Sequence, residues 1–259
     1  MACQVHHELT GPRGAPVLVL SGSLGTDLSM WDPQAGPLSS RFRLLRYDQR
    51  GHGRSPVPPG PYSIPELGQD LLALLDRLGI ERAAVCGLSI GGMTAIWVAA
   101  HAPERVARLA LLCTSAGFAP EAARAYGERA ALVRAQGMQP VADGALERWF
   151  TPGFRQARRE VVEGMRAALL ATPPEGYAGC CEALANMDLR AELPAISAPT
   201  LVIAGAQDPA TPPEHGRLIA EAVPSARFEV VEPAAHLASL EQPERVNELI
   251  LQFLEEEEA

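Results

Sequence analysis

The residue best placed to do chemistry in this chain is a serine flanked by glycines. Residues 87–91 read Gly-Leu-Ser-Ile-Gly, a G-x-S-x-G motif, and they stand where the apolar run 83–86 gives way to a segment rich in Ala, Ile, Trp and Val. At such a strand-to-helix turn the serine adopts a strained backbone, and the glycines allow strand and helix to approach closely. We therefore predict that Ser89 is a nucleophile rather than part of a structural turn.

A serine hydroxyl is a weak nucleophile at neutral pH and needs a base to take its proton. His236 lies between the last predicted strand and the last predicted helix, where it can act as that base. Asp208 directly follows another predicted strand and can fix the imidazole tautomer. The chain order Ser, Asp, His is the order of α/β hydrolases. The alternatives are a surface histidine at 236 and a turn-forming aspartate at 208.

Attack by serine on a carbonyl creates an oxyanion that needs preorganised N–H donors. The backbone N–H of Ile90, directly after the serine, is one predicted donor. The other should come from the loop that follows the apolar run 17–20, where Ser23 occupies the expected position and Leu24 is the second choice. These amides would complete an acyl-transfer site.

These residues depend on a framework of alternating strands and helices. Short apolar runs bounded by turn residues predict strands at 17–20, 44–47, 83–86, 109–113, 200–204 and 227–231. Capping signals and helical spacing predict helices at 64–78, 90–101 and 243–254. A fourth helix is predicted to begin at the capping residues 211–214. This series predicts an α/β fold, a mostly parallel sheet covered by helices on both faces. Residues 118–190 offer helix-length segments without a convincing strand, so we predict a core of 1–117 and 191–259 with a helical cap at 118–190.

Composition narrows the chemistry and the partners. All 22 basic residues are arginine, which excludes Schiff-base and lysine-nucleophile mechanisms. The five cysteines lack metal-type spacing and are interpreted as reduced thiols, so they indicate no metal site. Acyl transfer by Ser89 and His236 needs neither a metal nor an organic cofactor, and none is expected. The net charge of −9 disfavours nucleic acid as a partner. Without an apolar run of roughly 18 residues or a signal-peptide pattern, we expect no membrane association and a cytoplasmic location. No feature indicates an oligomeric state.

Six stretches of the chain together form a recognisable pattern: residues 23–31 (SLGTDLSMW), 46–48 (RYD), 50–55 (RGHGRS), 86–89 (CGLS), 147–152 (ERWFTP) and 174–181 (PEGYAGCC). With this pattern the chain resembles one family, the 3-oxoadipate enol-lactonases of aromatic catabolism. The last two stretches matter most, because cap sequence usually follows the substrate. The chain departs from the family at Gly22, at Ile90 and at residues 115–118, where the family commonly has Asn, Met and an Arg-containing segment.

The resemblance implies an α/β-hydrolase fold and a cofactor-free serine hydrolase that opens a small enol-lactone, 3-oxoadipate enol-lactone, through an acyl-enzyme. A general carboxylesterase or a cofactor-free perhydrolase would use the same triad with a different cap pocket, and a non-catalytic binding protein on the same fold is a further alternative. Ser89 at the turn disfavours dehalogenases and epoxide hydrolases, which place Asp there. We regard Arg148 as a candidate contact to a substrate carboxylate. The other candidate substrate contacts are Leu24, Trp31, Trp97, Trp149 and Tyr177.

Overall fold

A computed structural model of the chain describes residues 2–256. Met1 and residues 257–259, which the predicted core segments include, lie outside the described residues. Within the described range one sheet contains the strands β1 (His7–Thr10), β2 (Val17–Ser21), β3 (Arg43–Tyr47), β4 (Ala83–Leu88), β5 (Val106–Leu112), β6 (Thr200–Gly205) and β7 (Ala226–Val231).

The strand order in this sheet is β1-β3-β2-β4-β5-β6-β7. Only the edge pair β1 and β3 is antiparallel, while every other neighbouring pair is parallel. All six residues of β4 and all six of β6 are buried, as expected for central parallel strands covered on both faces. The predicted mostly parallel α/β fold is confirmed.

Helices outside the predicted cap pack around this sheet. They are α1 (Asp32–Ser39), α2 (Ile64–Arg77), α3 (Ile90–His101), α9 (Pro213–Ala222), α10 (Ala238–Glu241) and α11 (Pro243–Glu255). Helix α2 begins with a capping interaction between Ser63 and Glu66. Ser63 Oγ accepts the N–H of Glu66 at 3.4 Å and donates to Glu66 Oε2 at 2.9 Å, which fixes the start of the helix. Leu67, Leu71 and Leu74 of α2 are buried and pack this helix against the core.

The chain between β5 and β6 forms the helices α4 (Pro120–Gln136), α5 (Gln139–Trp149), α6 (Pro152–Ala157), α7 (Arg159–Ala171) and α8 (Pro174–Ala185). Its two ends meet, since Gly117 and Asp188 form an antiparallel bridge and the N–H of Leu189 donates to the carbonyl of Ala116 at 2.7 Å. Helices α4 and α8 pack against each other. The division into a core and a cap stays a prediction, and these helices supply part of the site described below. Among residues 2–256, no helix has the length and hydropathy needed to cross a bilayer.

Candidate active site

The backbone at Ser89 is strained in the way the motif predicts. Ser89 joins β4 to α3 with φ 57° and ψ −122°, a conformation that non-glycine residues rarely adopt. A Cβ on Gly91 would lie 2.2 Å from the carbonyl oxygen of Ser21, so only glycine fits beside the turn. The N–H of Ser89 donates to Leu112 O at 3.0 Å, and the Thr114 hydroxyl donates to Ser89 O at 2.7 Å. The turn is therefore fixed from both sides.

Asp208 and His236 lie in loops that follow adjacent strands. Asp208 comes just after β6 and His236 lies between β7 and α10, and His236 Nδ1 is 2.8 Å from Asp208 Oδ2. The other carboxylate oxygen, Oδ1, accepts the N–H groups of Ala210 and Thr211 at 2.8 and 3.0 Å. An ionised carboxylate only accepts hydrogen bonds, so the proton of the neutral imidazole sits on Nδ1 and Nε2 is free to accept another.

The surroundings of Asp208 keep it ionised although it is buried. Burial raises the pKa of Asp208, but the nearby His236 and the hydrogen bonds from His236 and Thr211 outweigh it and hold this pKa below its usual value. The Thr211 hydroxyl donates to Asp208 Oδ2 at 2.7 Å. Asp208 can therefore stabilise an imidazolium without taking up its proton.

One cavity brings most of the candidate residues together. Ser89 and His236 both line it, and its walls also contain residues from the predicted cap. The predicted site residues that line it are Ser23, Leu24, Ser89, Arg148, Trp149, Tyr177 and His236. Sequence reasoning did not single out Tyr126 and Arg129, which α4 contributes to the same wall. The catalytic and binding roles of these residues stay predictions.

Two of the tryptophans named as candidate substrate contacts lie away from this cavity, and their assignment stays a prediction. Trp31 is fully buried in a single-turn helix that precedes α1. Trp97 lies on α3, where its ring stacks on His101 with 4.5 Å between centroids and packs against Gly68 of α2. Neither lines the cavity. Both contribute apolar area to the core, the commoner use of large aromatic side chains.

The two predicted oxyanion donors differ in what they contact. Ile90 is the first residue of α3, where a backbone N–H has no intrahelical acceptor and carries the positive end of the helix dipole. Within residues 2–256 no acceptor bonds this N–H. The N–H of Ser23 instead donates to Met30 Sδ at 3.2 Å, and a thioether is a weak acceptor. The geometry thus supports Ile90 more directly than Ser23.

The loop that carries Ser23 is held by the side chains of residues 48–52, a second feature that the sequence did not indicate. Gln49 Nε2 donates to Gly22 O at 2.5 Å, and Asp48 Oδ1 accepts the N–H of Leu28 at 2.7 Å. His52 Nε2 accepts the N–H of Gly25 at 2.9 Å. Burial lowers the pKa of His52 to about 4, which keeps this nitrogen unprotonated and able to accept.

Two arginines give the cavity wall a positive charge. Arg129 of α4 and Arg148 of α5 both line the cavity, and within the described residues neither forms an ion pair with Asp or Glu. Burial and then the charge of Arg129 lower the pKa of Arg148. Two adjacent guanidinium groups without a carboxylate partner favour an anionic ligand. In residues 2–256, no cluster of three or more His, Cys, Asp or Glu side chains is arranged to hold a metal ion.

Comparison with known proteins assigns the family. The profile described as "Alpha/beta hydrolase family" matches residues 17–249. This chain belongs to that family. The hydrolase is also similar over nearly its whole length to 3-oxoadipate enol-lactonase 2 of Acinetobacter baylyi, with 45% identity over 95% of this chain and 91% of the relative.

Solved structures agree with this assignment. An enol-lactonase from Burkholderia xenovorans superposes on the hydrolase with a TM-score of 0.95 and 43% identity, covering 98% of this chain and 97% of that one. A thermophilic esterase from Thermogutta terrifontis, solved with malate bound, gives a TM-score of 0.91 and 34% identity, covering 97% of this chain and 93% of that one. The resemblance to the enol-lactonases is confirmed, and the chain is a hydrolase.

Proposed function

We propose that this hydrolase opens a small, negatively charged enol-lactone, 3-oxoadipate enol-lactone, to 3-oxoadipate. The observation that carries the proposal is the cavity in which Ser89 and His236 share a wall with Arg129 and Arg148. A nucleophile beside two guanidinium groups suits an ester that carries a carboxylate elsewhere in the molecule. The similarity to two named enol-lactonases supports the same substrate class.

Acylation begins when His236 Nε2 takes the hydroxyl proton of Ser89 and Ser89 Oγ attacks the ring carbonyl. The N–H of Ile90, together with an amide of the loop at Ser23, stabilises the oxyanion of the tetrahedral intermediate. Collapse of the intermediate breaks the ring C–O bond and forms the acyl-enzyme. The leaving oxygen departs as an enol or enolate that tautomerises to a ketone, so it needs little acid assistance. His236 passes the proton it took from Ser89 to this leaving group and is neutral again before deacylation begins.

Deacylation uses the same groups in a second cycle. His236 takes a proton from water, which attacks the acyl carbonyl, and then returns a proton to Ser89 Oγ as the free acid leaves. Asp208 holds the imidazole in the required tautomer through the 2.8 Å contact to Nδ1. Arg148 and Arg129 pair with the substrate carboxylate, while Leu24, Trp149 and Tyr177 form the surrounding wall.

A comparison of three substrates tests the proposal. We would measure kcat/KM for 3-oxoadipate enol-lactone, for the uncharged lactone dihydrocoumarin and for p-nitrophenyl acetate. We expect the anionic lactone to be preferred, Ser89→Ala to lower its turnover by at least about 10³-fold, and Arg148→Ala to raise its KM by about tenfold. The KM for dihydrocoumarin should rise far less in Arg148→Ala.

Three results would contradict the proposal. Faster turnover of p-nitrophenyl acetate than of either lactone would indicate a general carboxylesterase. An unchanged KM for the anionic lactone in Arg148→Ala would remove the carboxylate contact. Failure of a fluorophosphonate probe to label Ser89 would indicate a binding protein that has kept the hydrolase fold.

A further inference from the structure

Glu241 is a buried carboxylate that the proposed mechanism does not use. It is the last residue of α10, five residues after His236, and it is 7% exposed. Its Oε1 accepts the N–H of Thr151 at 2.5 Å and its Oε2 accepts the N–H of Ala235 at 3.3 Å. Within residues 2–256 Glu241 forms no ion pair with an arginine or histidine. Backbone amides are therefore its partners.

The two amides belong to the two segments that meet at the cavity. Ala235 directly precedes His236. Thr151 lies two residues after the end of α5, whose last two residues are Arg148 and Trp149. Two further backbone bonds join these segments, from His236 N to Arg148 O at 3.4 Å and from Leu237 N to Trp149 O at 3.0 Å. Glu241 thus connects the loop of the proposed base to the segment of the proposed carboxylate contact.

An ionised carboxylate suits this position better than any neutral side chain. Each oxygen of the ionised form accepts one amide, whereas an amide side chain would point an NH₂ group at one of the two N–H donors. Hydrogen bonds to a charged acceptor are also stronger than neutral ones. Burial raises the pKa of Glu241, although the hydrogen bonds from Thr151 and Ala235 oppose the rise. Keeping a carboxylate here without a cation is costly, and its two amide contacts point to a geometric task.

We propose that Glu241 is a positioning residue that holds the His236 loop against residues 148–151, so that the imidazole stays aimed at Ser89. This inference rests on the proposed Ser-His-Asp chemistry. It predicts that loss of the carboxylate lowers the turnover number per folded enzyme, because only the two backbone bonds from His236 and Leu237 then join the loop to residues 148 and 149. Substrate binding should change much less.

The test uses p-nitrophenyl acetate, with active sites counted by fluorophosphonate titration. Glu241→Gln should lower kcat per titrated site by at least about tenfold and change KM by less than about threefold. Glu244→Gln, the same substitution at an exposed glutamate of α11, is the matched control and should stay within about twofold of wild type. Melting temperatures are recorded for every variant.

A second pair of variants removes the amide instead of the carboxylate. Thr151 has φ −61° and ψ 152°, and Phe150 before it is extended, so the backbone at 151 already has the dihedral angles that proline requires. Thr151→Ala loses the hydroxyl but keeps the N–H, which makes it the reference for Thr151→Pro. We expect kcat of Thr151→Pro to fall about tenfold below that of Thr151→Ala, and Glu241→Gln/Thr151→Pro to show no further loss beyond Glu241→Gln.

The outcomes separate this inference from the proposed function. If Glu241→Gln keeps kcat within about twofold of wild type, even with a lower melting temperature, Glu241 is a structural residue and the inference is wrong. If Glu241→Gln does not fold, the comparison of Thr151→Pro with Thr151→Ala decides in the same way. If Ser89→Ala retains full hydrolysis, the proposed chemistry fails and the inference fails with it.

Discussion

Replacing His52 by glutamine tests how the loop that carries Ser23 is held. His52 is 1% exposed, its Nε2 accepts the N–H of Gly25 at 2.9 Å, and its Nδ1 lies 3.2 Å from Arg50 O. This pairing needs a neutral imidazole with its proton on Nδ1. Protonation of Nε2 would bury a charge and point a donor at the Gly25 amide. The structure therefore predicts that acid weakens this contact.

The size of the effect follows from the pKa of His52 in the two states. Burial lowers this pKa from 6.5 to about 4, although the Arg50 carbonyl and Asp27 oppose the change. Between these two values the unfolded chain binds more protons than the folded one, so stability is lost as the pH falls from about 6.5 towards 4. Relative to neutral pH, the titration of His52 lowers the free energy of unfolding by roughly 2 kcal/mol at about pH 5 and by roughly 3 kcal/mol near pH 4.

Urea unfolding at about pH 7.5 and about pH 5 measures this contribution. Glutamine at 52 offers an amide oxygen to Gly25 but does not titrate. Between the two pH values, wild type should lose about 2 kcal/mol more stability than His52→Gln, because all other titrating groups are common to both proteins. His7→Gln, on the edge strand β1, should behave as wild type. Equal losses in wild type and His52→Gln would refute the reasoning.

Two further predictions concern the serine turn and its acid partner. Asp208→Asn should lower kcat by about 10⁴-fold with an unchanged far-ultraviolet circular dichroism spectrum, because asparagine favours the wrong imidazole tautomer; a loss below tenfold would contradict this role. Gly91→Ala should lower both the melting temperature and kcat, since its Cβ would lie 2.2 Å from Ser21 O. Gly164→Ala, exposed on α7 with open space around it, is the matched control and should be as stable as wild type or more so; equal behaviour of the two variants would count against a close approach at Gly91.

The sheet could be predicted from the sequence because most of its strands are buried. Continuous apolar runs predicted β4 and β6, and the serine motif predicted that α3 begins at Ile90. The edge strand β1 was not predicted, since its residues His7–Thr10 are only partly buried and form no apolar run. When a strand is stabilised mainly by backbone pairing with its neighbour, its residue types give little signal from which to predict it.

The site was predictable only where function depends on local sequence. Ser89 belongs to a recognisable motif, and the chain order predicted the pairing of Asp208 with His236, which are in contact in the structure. Ser89 and His236 line the same cavity. Arg129 is one of many arginines on the helices after β5, and Glu241 reads as an ordinary acidic residue near a helix end. Their significance comes from contacts with segments that are distant in the chain, which spacing does not encode. Trp31 and Trp97 show the converse, because aromatic type alone does not separate a pocket wall from a core.

The bridge between Gly117 and Asp188 bears on how such an enzyme can diversify. The chain leaves the sheet after β5 and returns beside its point of departure, so exchanging the intervening helices would preserve the strand order. Ser89, Asp208 and His236 all lie outside this excursion, whereas Arg129 and Arg148 lie within it. Replacing the helices between β5 and β6 would change which substrate is bound while the reaction at Ser89 stayed the same. The new segment would still need a backbone N–H that donates to Glu241. Since every residue except proline carries a backbone N–H, this requirement would exclude only proline at the position of Thr151 and would leave its side chain free to vary.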